Sequence, residues 1–396
     1  MSTPASLFRN AIDLNRFSNS VAKRIAIAYN DLVLKAVDQL RGIDELAAPA
    51  KAARLRAILA QLKQSLEGWV GSSTAIAVEE LQGLTVLQSE FVENQLRKAL
   101  PVELRDQVRS VQISPQFAQS VATIDPTAIN VVSLSDDLQA AVTGAPQTFS
   151  LTAAQGTTIT LPNGKVLEKS FRGLAESQAD LFAKTVRNGL LLGESTDKIA
   201  KDLKGNLRFG QPGSARQIAQ AGGKVTAMAN RQVMALVRTS LNQVANQASM
   251  QVYEANQDIT KRYKYVATLD SRTSAICRAL DGQEFEYGKG PIPPQHFNCR
   301  STIKEIIDYE ALGFTPPAQG KRAAQGGMVP ANQSYGQWLN NQSKKAKEDI
   351  LGREKLPYFN RLVKKYGPTD AIRKFVSEDG SELTLAQLKR RYGSAS

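Results

Sequence analysis

The sequence predicts an α+β protein that is mostly helical, and three observations carry that expectation. Apolar residues recur every three or four positions through most of the first hundred residues. Short β-branched runs with turn residues interrupt that pattern between 102 and 170. Helical periodicity then returns, with one strand-like run at 263–268. The expected organisation is an N-terminal helical bundle over 1–110, a β-hairpin or irregular connector over 111–170, a central α+β domain over 171–310, a linker over 311–334 and a small, basic, helical C-terminal module over 335–396.

Each element follows from local chemistry. Leu14, Phe17, Val21, Ile25, Ala28 and Leu32 fall on one stripe of a helix that runs to about Leu40. Leu55, Ile58, Leu62, Leu66 and Trp69 form a second stripe after a turn near Pro49. Gly71, Ser72 and Ser73 predict a break, and a third helix carrying Leu84, Leu87 and Phe91 stops at Pro101. In TTITLPNGKVL, Asn163-Gly164 signals a tight hairpin turn, so 147–168 reads as a hairpin or small sheet. Helix resumes over 171–203, and a long helix is expected from about 225 to 256. Three Pro and four Gly within 311–334 mark the linker, and helices follow near 335–348 and 356–366, with Trp338 and Leu339 as core anchors. Gly205, Gly210, Gly213, Gly222 and Gly223 form no phosphate-binding loop, because neither a G-x-x-x-x-G-K-[ST] run nor a strand-linked G-x-G-x-x-G turn is present.

Composition narrows the class. Hydrophobic residues make up 42% and charged residues 22%, which fits a folded chain rather than a disordered or membrane-embedded one. No run approaches the roughly 18 apolar residues of a membrane span, and the N-terminus meets charge too early for a signal peptide, so the expected setting is a cytosol. Two cysteines cannot frame a disulfide scaffold of this size. The net charge of +13 attracts polyanions, and residues 341–396 hold 13 Lys or Arg against 7 Asp or Glu. Lys344, Lys345, Lys364, Lys365, Arg373, Lys374, Lys389, Arg390 and Arg391 are therefore candidate DNA contacts, the alternative being a solvated helical face.

Residues 268–303, TLDSRTSAICRALDGQEFEYGKGPIPPQHFNCRSTI, contain the single histidine and both cysteines. One reading is a metal site: Cys277, His296 and Cys299 supply three zinc ligands, and Asp270 or Asp281 completes a tetrahedron. A second is a polar knot, in which Asp270 caps the next turn, Arg272 or Arg300 pairs with Asp281, His296 and Asn298 satisfy loop backbone, and the thiols pack as small hydrophobes. A Cys277–Cys299 disulfide is a third. Catalysis has little support: His296 stands three residues from Cys299 without an oxyanion signal, and one histidine cannot serve a His-Asn-His nuclease.

Asp270, Arg272, Thr273, Cys277, Asp281, Gly282, Pro294, His296, Asn298, Cys299 and Arg300 together resemble the signature of Mu F-like minor head proteins, which act in tailed-phage head morphogenesis. That signature reads D-x-R-T, then C or H, then D-G, then P-x-H-x-N-C-R-C; Ser301 stands in place of its last cysteine. Arg238-Thr239 resembles an Arg-Thr pair on the helix before it, with Ser240 replacing an acidic residue, and 185–203 resembles the preceding helix pair. Tyr335, Trp338, Leu339, Gln342, Leu351, Gly352 and the run at 383–388 resemble a tail module of such proteins. The resemblance spans about 170–396. It implies a Mu F-like central domain in a non-enzymatic virion protein that works in the host cytoplasm during assembly. The implied partners are the portal protein, major capsid or scaffold protein, and viral double-stranded DNA, with no membrane and no cofactor beyond the zinc considered above. The rival readings are a metal-dependent phage nucleic-acid enzyme and a prophage toxin-related protein.

Overall fold

The computed structural model describes residues 4–111, 167–209, 215–318, 320–378 and 380–394. The fold is mostly helical α+β with small antiparallel sheets. Helix α1 (Pro4–Asp38) is followed by a short 3-10 turn (Ile43–Glu45), and α2 spans Ala48–Ala99. Gly42 permits the connection by taking φ 71, a conformation open to residues without Cβ. Helix α3 (Leu167–Leu191) packs against α2, and α6 (Lys224–Ala255) against α1, α2 and α3, so one apolar core runs from Val21 to Ala245. Trp69 locks that core together. Its Nε1 donates to the Ile25 carbonyl at 3.1 Å, and its ring sits edge-on to Tyr29 at 5.5 Å and Phe171 at 5.7 Å.

The helical stripes differ from expectation in three respects. Ala28 is exposed, and Tyr29, one position on, is buried in its place. Both positions follow Ile25 at helical spacing, i+3 and i+4, and burying the larger ring removes more apolar surface from water. There is no break at Gly71: α2 continues through Gly71, Ser72 and Ser73. The roughly 1 kcal/mol cost of a helical glycine is outweighed by buried Trp69, Val70, Ala77 and Leu81 on either side. Leu87 is 64% exposed, while Leu84 is buried. After Pro101 the chain forms a 3-10 helix, Val102–Gln107. The expected hairpin over 147–168 falls almost wholly outside the described residues; Leu167 and Glu168 open α3.

Helix α4 (Thr196–Lys204) and α5 (Ala215–Ala221) lead to α6. The glycines here serve packing. A Cβ on Gly205 would lie 2.5 Å from the Ala221 carbonyl oxygen, and one on Gly223 would lie 2.5 Å from the Asp202 carbonyl. Two backbones cross there without room for side chains.

The sheet places β1 (Thr260–Val266) between β2 (Glu284–Glu286) and β3 (Thr302–Ile307), both antiparallel to it. Tyr263 pairs with Phe285 and Tyr265 with Ile303, and Met250, Val252 and Tyr253 of α6 join them in a second core. The six-residue helix α7 (Ala275–Leu280) links β1 to β2.

Residues 311–334 are more than a linker. They contain a hairpin, β4 (Lys321–Ala324) paired with β5 (Gly327–Pro330), turning at Gly326 and Gly327, both at positive φ. Five short helices follow: α8 (Tyr335–Asn340), α9 (Lys344–Leu351), α10 (Leu356–Tyr366), α11 (Pro368–Arg373) and α12 (Leu385–Tyr392). The single helix expected over 335–348 is thus two, because Ser343 caps a new start by accepting from Ala346 N–H. Trp338 and Leu339 are core residues, as expected, and the same core includes Leu269 from the signature.

Candidate functional site

The signature is assembled from four segments: the turn after β1, α7, the loop after β2, and the entry to β3. Asp270 organises the first. Its Oδ1 accepts from Arg272 N–H at 3.0 Å, a turn of the kind expected, and lies 3.1 Å from Thr273 Oγ1. Arg300, from the far side of the loop, forks onto the same carboxylate at 2.6 and 2.8 Å. Burial is the largest influence on Asp270 and pushes its carboxyl up, but the bonds and charge of Arg300, aided by Arg272 N–H and Thr273, hold it below its ordinary value.

Asp281 is not the partner of Arg272 or Arg300. Arg272 is exposed and stands 3.7 Å from Asp270, whereas Asp281 pairs with Arg322 of β4 at 3.0 and 3.2 Å. Asp281 also accepts from Ala267 N–H at 2.8 Å and Tyr335 N–H at 2.7 Å. Asp281 also caps the end of α7 through its backbone N–H, which donates to the Cys277 carbonyl at 3.1 Å, and Gly282 at φ 78 then turns the chain into β2. The reassignment is geometric: Asp270 and Arg300 close one end of the signature, so Asp281 faces the hairpin.

Cys277, His296 and Cys299 converge. Cys277 lies in the first turn of α7, where Ser274 caps the helix and accepts from Cys277 N–H. Cys277 Sγ is 3.3 Å from His296 Nε2, 3.7 Å from Cys299 Sγ and 3.2 Å from Tyr265 Oη. Both thiols are buried and free, so the disulfide is not formed. His296 Nδ1 lies 2.8 Å from the Phe297 carbonyl oxygen. A carbonyl only accepts, so Nδ1 carries a proton and Nε2 is the ring nitrogen that faces sulfur. Burial, aided by Cys299, pushes the Cys277 thiol well up. Burial also opposes ionisation of Cys299, but bonds from Cys277 and His296 and the imidazole charge bring it well below the usual thiol value. For His296, burial acts downward and is outweighed by the bond and charge of Cys299, leaving it raised.

Other contacts pin the loop. Asn298, at φ 59, donates its backbone N–H to Thr239 Oγ1 of α6 at 3.0 Å, which gives the Arg-Thr pair a structural task. Arg238 reaches Asn19 Oδ1 of α1 at 2.6 and 3.0 Å. Pro294 is buried. Buried Ser301 adjoins Cys277, Cys299 and Tyr265, and its carbonyl accepts from Asn242 Nδ2 at 3.0 Å. Arg322, Tyr265 and the role of Ser301 were not legible beforehand; the Gln325-Gly326-Gly327 turn was the available signal for the hairpin bearing Arg322.

The candidate DNA contacts lie elsewhere, on the C-terminal module. Lys344, Lys345, Lys364, Lys365, Lys389, Arg390 and Arg391 are exposed. Arg373 is partly buried and paired with Asp370 at 3.0 Å. Lys374, also partly buried, has its Nζ 4.4 Å from the centre of the Tyr366 ring, with Lys365 Nζ at 5.0 Å.

Residues 180–304 match the family model of Phage Mu protein F like protein. The central segment is Mu F-like. The match holds α6, β1, β2, the start of β3 and the whole Cys/His window, so the family expected from the signature is borne out over that segment. No curated protein and no solved structure matches the chain. Among the described residues, no helix is long and apolar enough to cross a membrane.

Proposed function

We propose that this Mu F-like chain is a structural minor head protein of a tailed bacteriophage, incorporated during head assembly beside the portal or inner capsid surface, with its C-terminal module against packaged double-stranded DNA. One observation carries the reading: the eleven-residue signature and the family match fall on the same segment and close into one packed unit. The two N-terminal helices share a core with that segment, so a portal or capsid protein that grips them grips the whole body. The exposed lysines and arginines of the module suit phosphate, and Tyr366 between Lys365 and Lys374 adds a flat face among cations. The network around Asp270 and Asp281 binds segments of the chain to one another, which is the work of a scaffold.

Quantitative mass spectrometry of purified particles, with this chain counted against portal protein, tests the assignment. A few to a few dozen copies per particle is the expected result. Absence from both procapsids and mature particles would overturn it and favour the enzyme or toxin reading.

A further inference from the structure

Three candidate ligand atoms, Cys277 Sγ, His296 Nε2 and Cys299 Sγ, all lie within 4.8 Å of one another. Zinc bound to sulfur at about 2.3 Å and to nitrogen at about 2.0 Å in a tetrahedron sets S···S at about 3.8 Å and S···N at about 3.5 Å. The observed separations are 3.7 Å between the sulfurs and 3.3 Å from Cys277 Sγ to Nε2. Two edges of the triangle are therefore within about 0.2 Å of those a zinc site needs, and the third is under 4.8 Å, before any rearrangement. A disulfide would instead require the sulfurs to close to about 2.05 Å.

The surroundings suit a cation as well. The Phe297 carbonyl fixes the histidine tautomer so that Nε2, facing the sulfurs, is the free donor, which is how metal-bound imidazoles are commonly oriented. Two thiolates with one neutral imidazole would balance a divalent ion, leaving no net charge in a buried place. The three residues come from α7, the loop and the entry to β3. One ion would thus staple a stretch, 287–301, that contains no regular helix or strand.

We propose that Cys277, His296 and Cys299 bind one zinc ion, with water beside Ser301 in the fourth position. This inference does not rest on the head-protein reading. It gives the loop a folding dependence on metal, and it assigns Ser301 the place where a fourth protein ligand would fit.

The test uses the full chain expressed with zinc in the medium and purified without chelator. Elemental analysis should find about one zinc per chain, lost in Cys299→Ser. Cobalt(II) added to metal-free protein should give tetrahedral d–d absorption and a thiolate-to-cobalt band. Ser301→Cys, which adds a ligand, should tighten cobalt binding by roughly tenfold or more. If Cys299→Ser fails to fold, the cobalt spectrum of the wild type and the gain in Ser301→Cys still decide. No zinc in the wild type together with no thiolate-to-cobalt band while both thiols titrate as free would overturn the proposal. So would a Cys277–Cys299 disulfide in protein taken from particles. Unchanged affinity in Ser301→Cys would overturn the placement of the fourth position.

Discussion

Arg322 of the β4–β5 hairpin clamps Asp281 of the signature, with two guanidinium contacts at 3.0 and 3.2 Å and no exposed surface on the Asp281 side chain. Arg322 also holds the Gln333 carbonyl at 3.2 Å and the Ala267 carbonyl, so one side chain ties the Mu F-like sheet to the entrance of the C-terminal module. Tyr335 repeats the connection: its N–H binds Asp281 and its hydroxyl binds the Asp270 carbonyl at 2.8 Å.

Breaking that clamp should be costly. Asp281→Ala leaves a largely buried guanidinium without its partner, and the expected loss is about 3–5 kcal/mol of stability in urea titration. Replacing both residues, Asp281→Asn with Arg322→Gln, should lose less than the sum of the single changes, because neither charge is then stranded. Additive losses would mean that the two residues act separately.

The Asp270–Arg300 pair makes stability depend on acid. Asp270 is held below its ordinary value in the folded chain, so its contribution is present above the unfolded carboxyl's pKa and is lost as pH falls through the folded one. Asp270→Asn should cost about 2 kcal/mol at neutral pH. Between about pH 7 and about pH 3 the variant should lose less stability than the wild type. Parallel loss in both, followed by urea midpoints, would remove Asp270 as the source.

DNA binding should show the charge of the module in its salt dependence. Deleting 341–396 should flatten the slope of log affinity against log salt, and Lys364→Gln with Lys365→Gln should reduce it by about two. Fluorescence anisotropy with a duplex of arbitrary sequence measures both. A slope unchanged by the deletion would move DNA contact off this module.

Trp69→Ala should unfold the N-terminal helices more readily, with an expected loss of about 3–5 kcal/mol. The change removes a buried indole, its bond to the Ile25 carbonyl and two aromatic contacts. Because the core is continuous from Val21 to Ala245, circular dichroism should show α1, α2, α3 and α6 melting in one transition. Two separated transitions would show that the N-terminal helices fold independently.

Local order was readable because its causes lie close together in the chain. The stripe from Leu55 to Trp69, the long helix ending at Ala255 and the stop at Pro101 are all matters of neighbouring residues. So was the Cys/His window, where irregular spacings carried the family resemblance. Other features were misread because local cost was judged without its tertiary return. Gly71 looked like a break until packing on both sides of it was known, and 311–334 looked like a linker until Arg322 found Asp281.

By itself the sequence determined the helical character, the basic end and the Mu F-like signature, since periodicity, charge and motif spacing need no third dimension. Only the tertiary structure decided who meets whom. Asp281 chose Arg322 across 41 residues over the nearer Arg300, and Asn298 found Thr239 across 59. Pairing of charges and hydrogen bonds follows distance and direction in the folded chain, and a one-dimensional order of residues does not contain either.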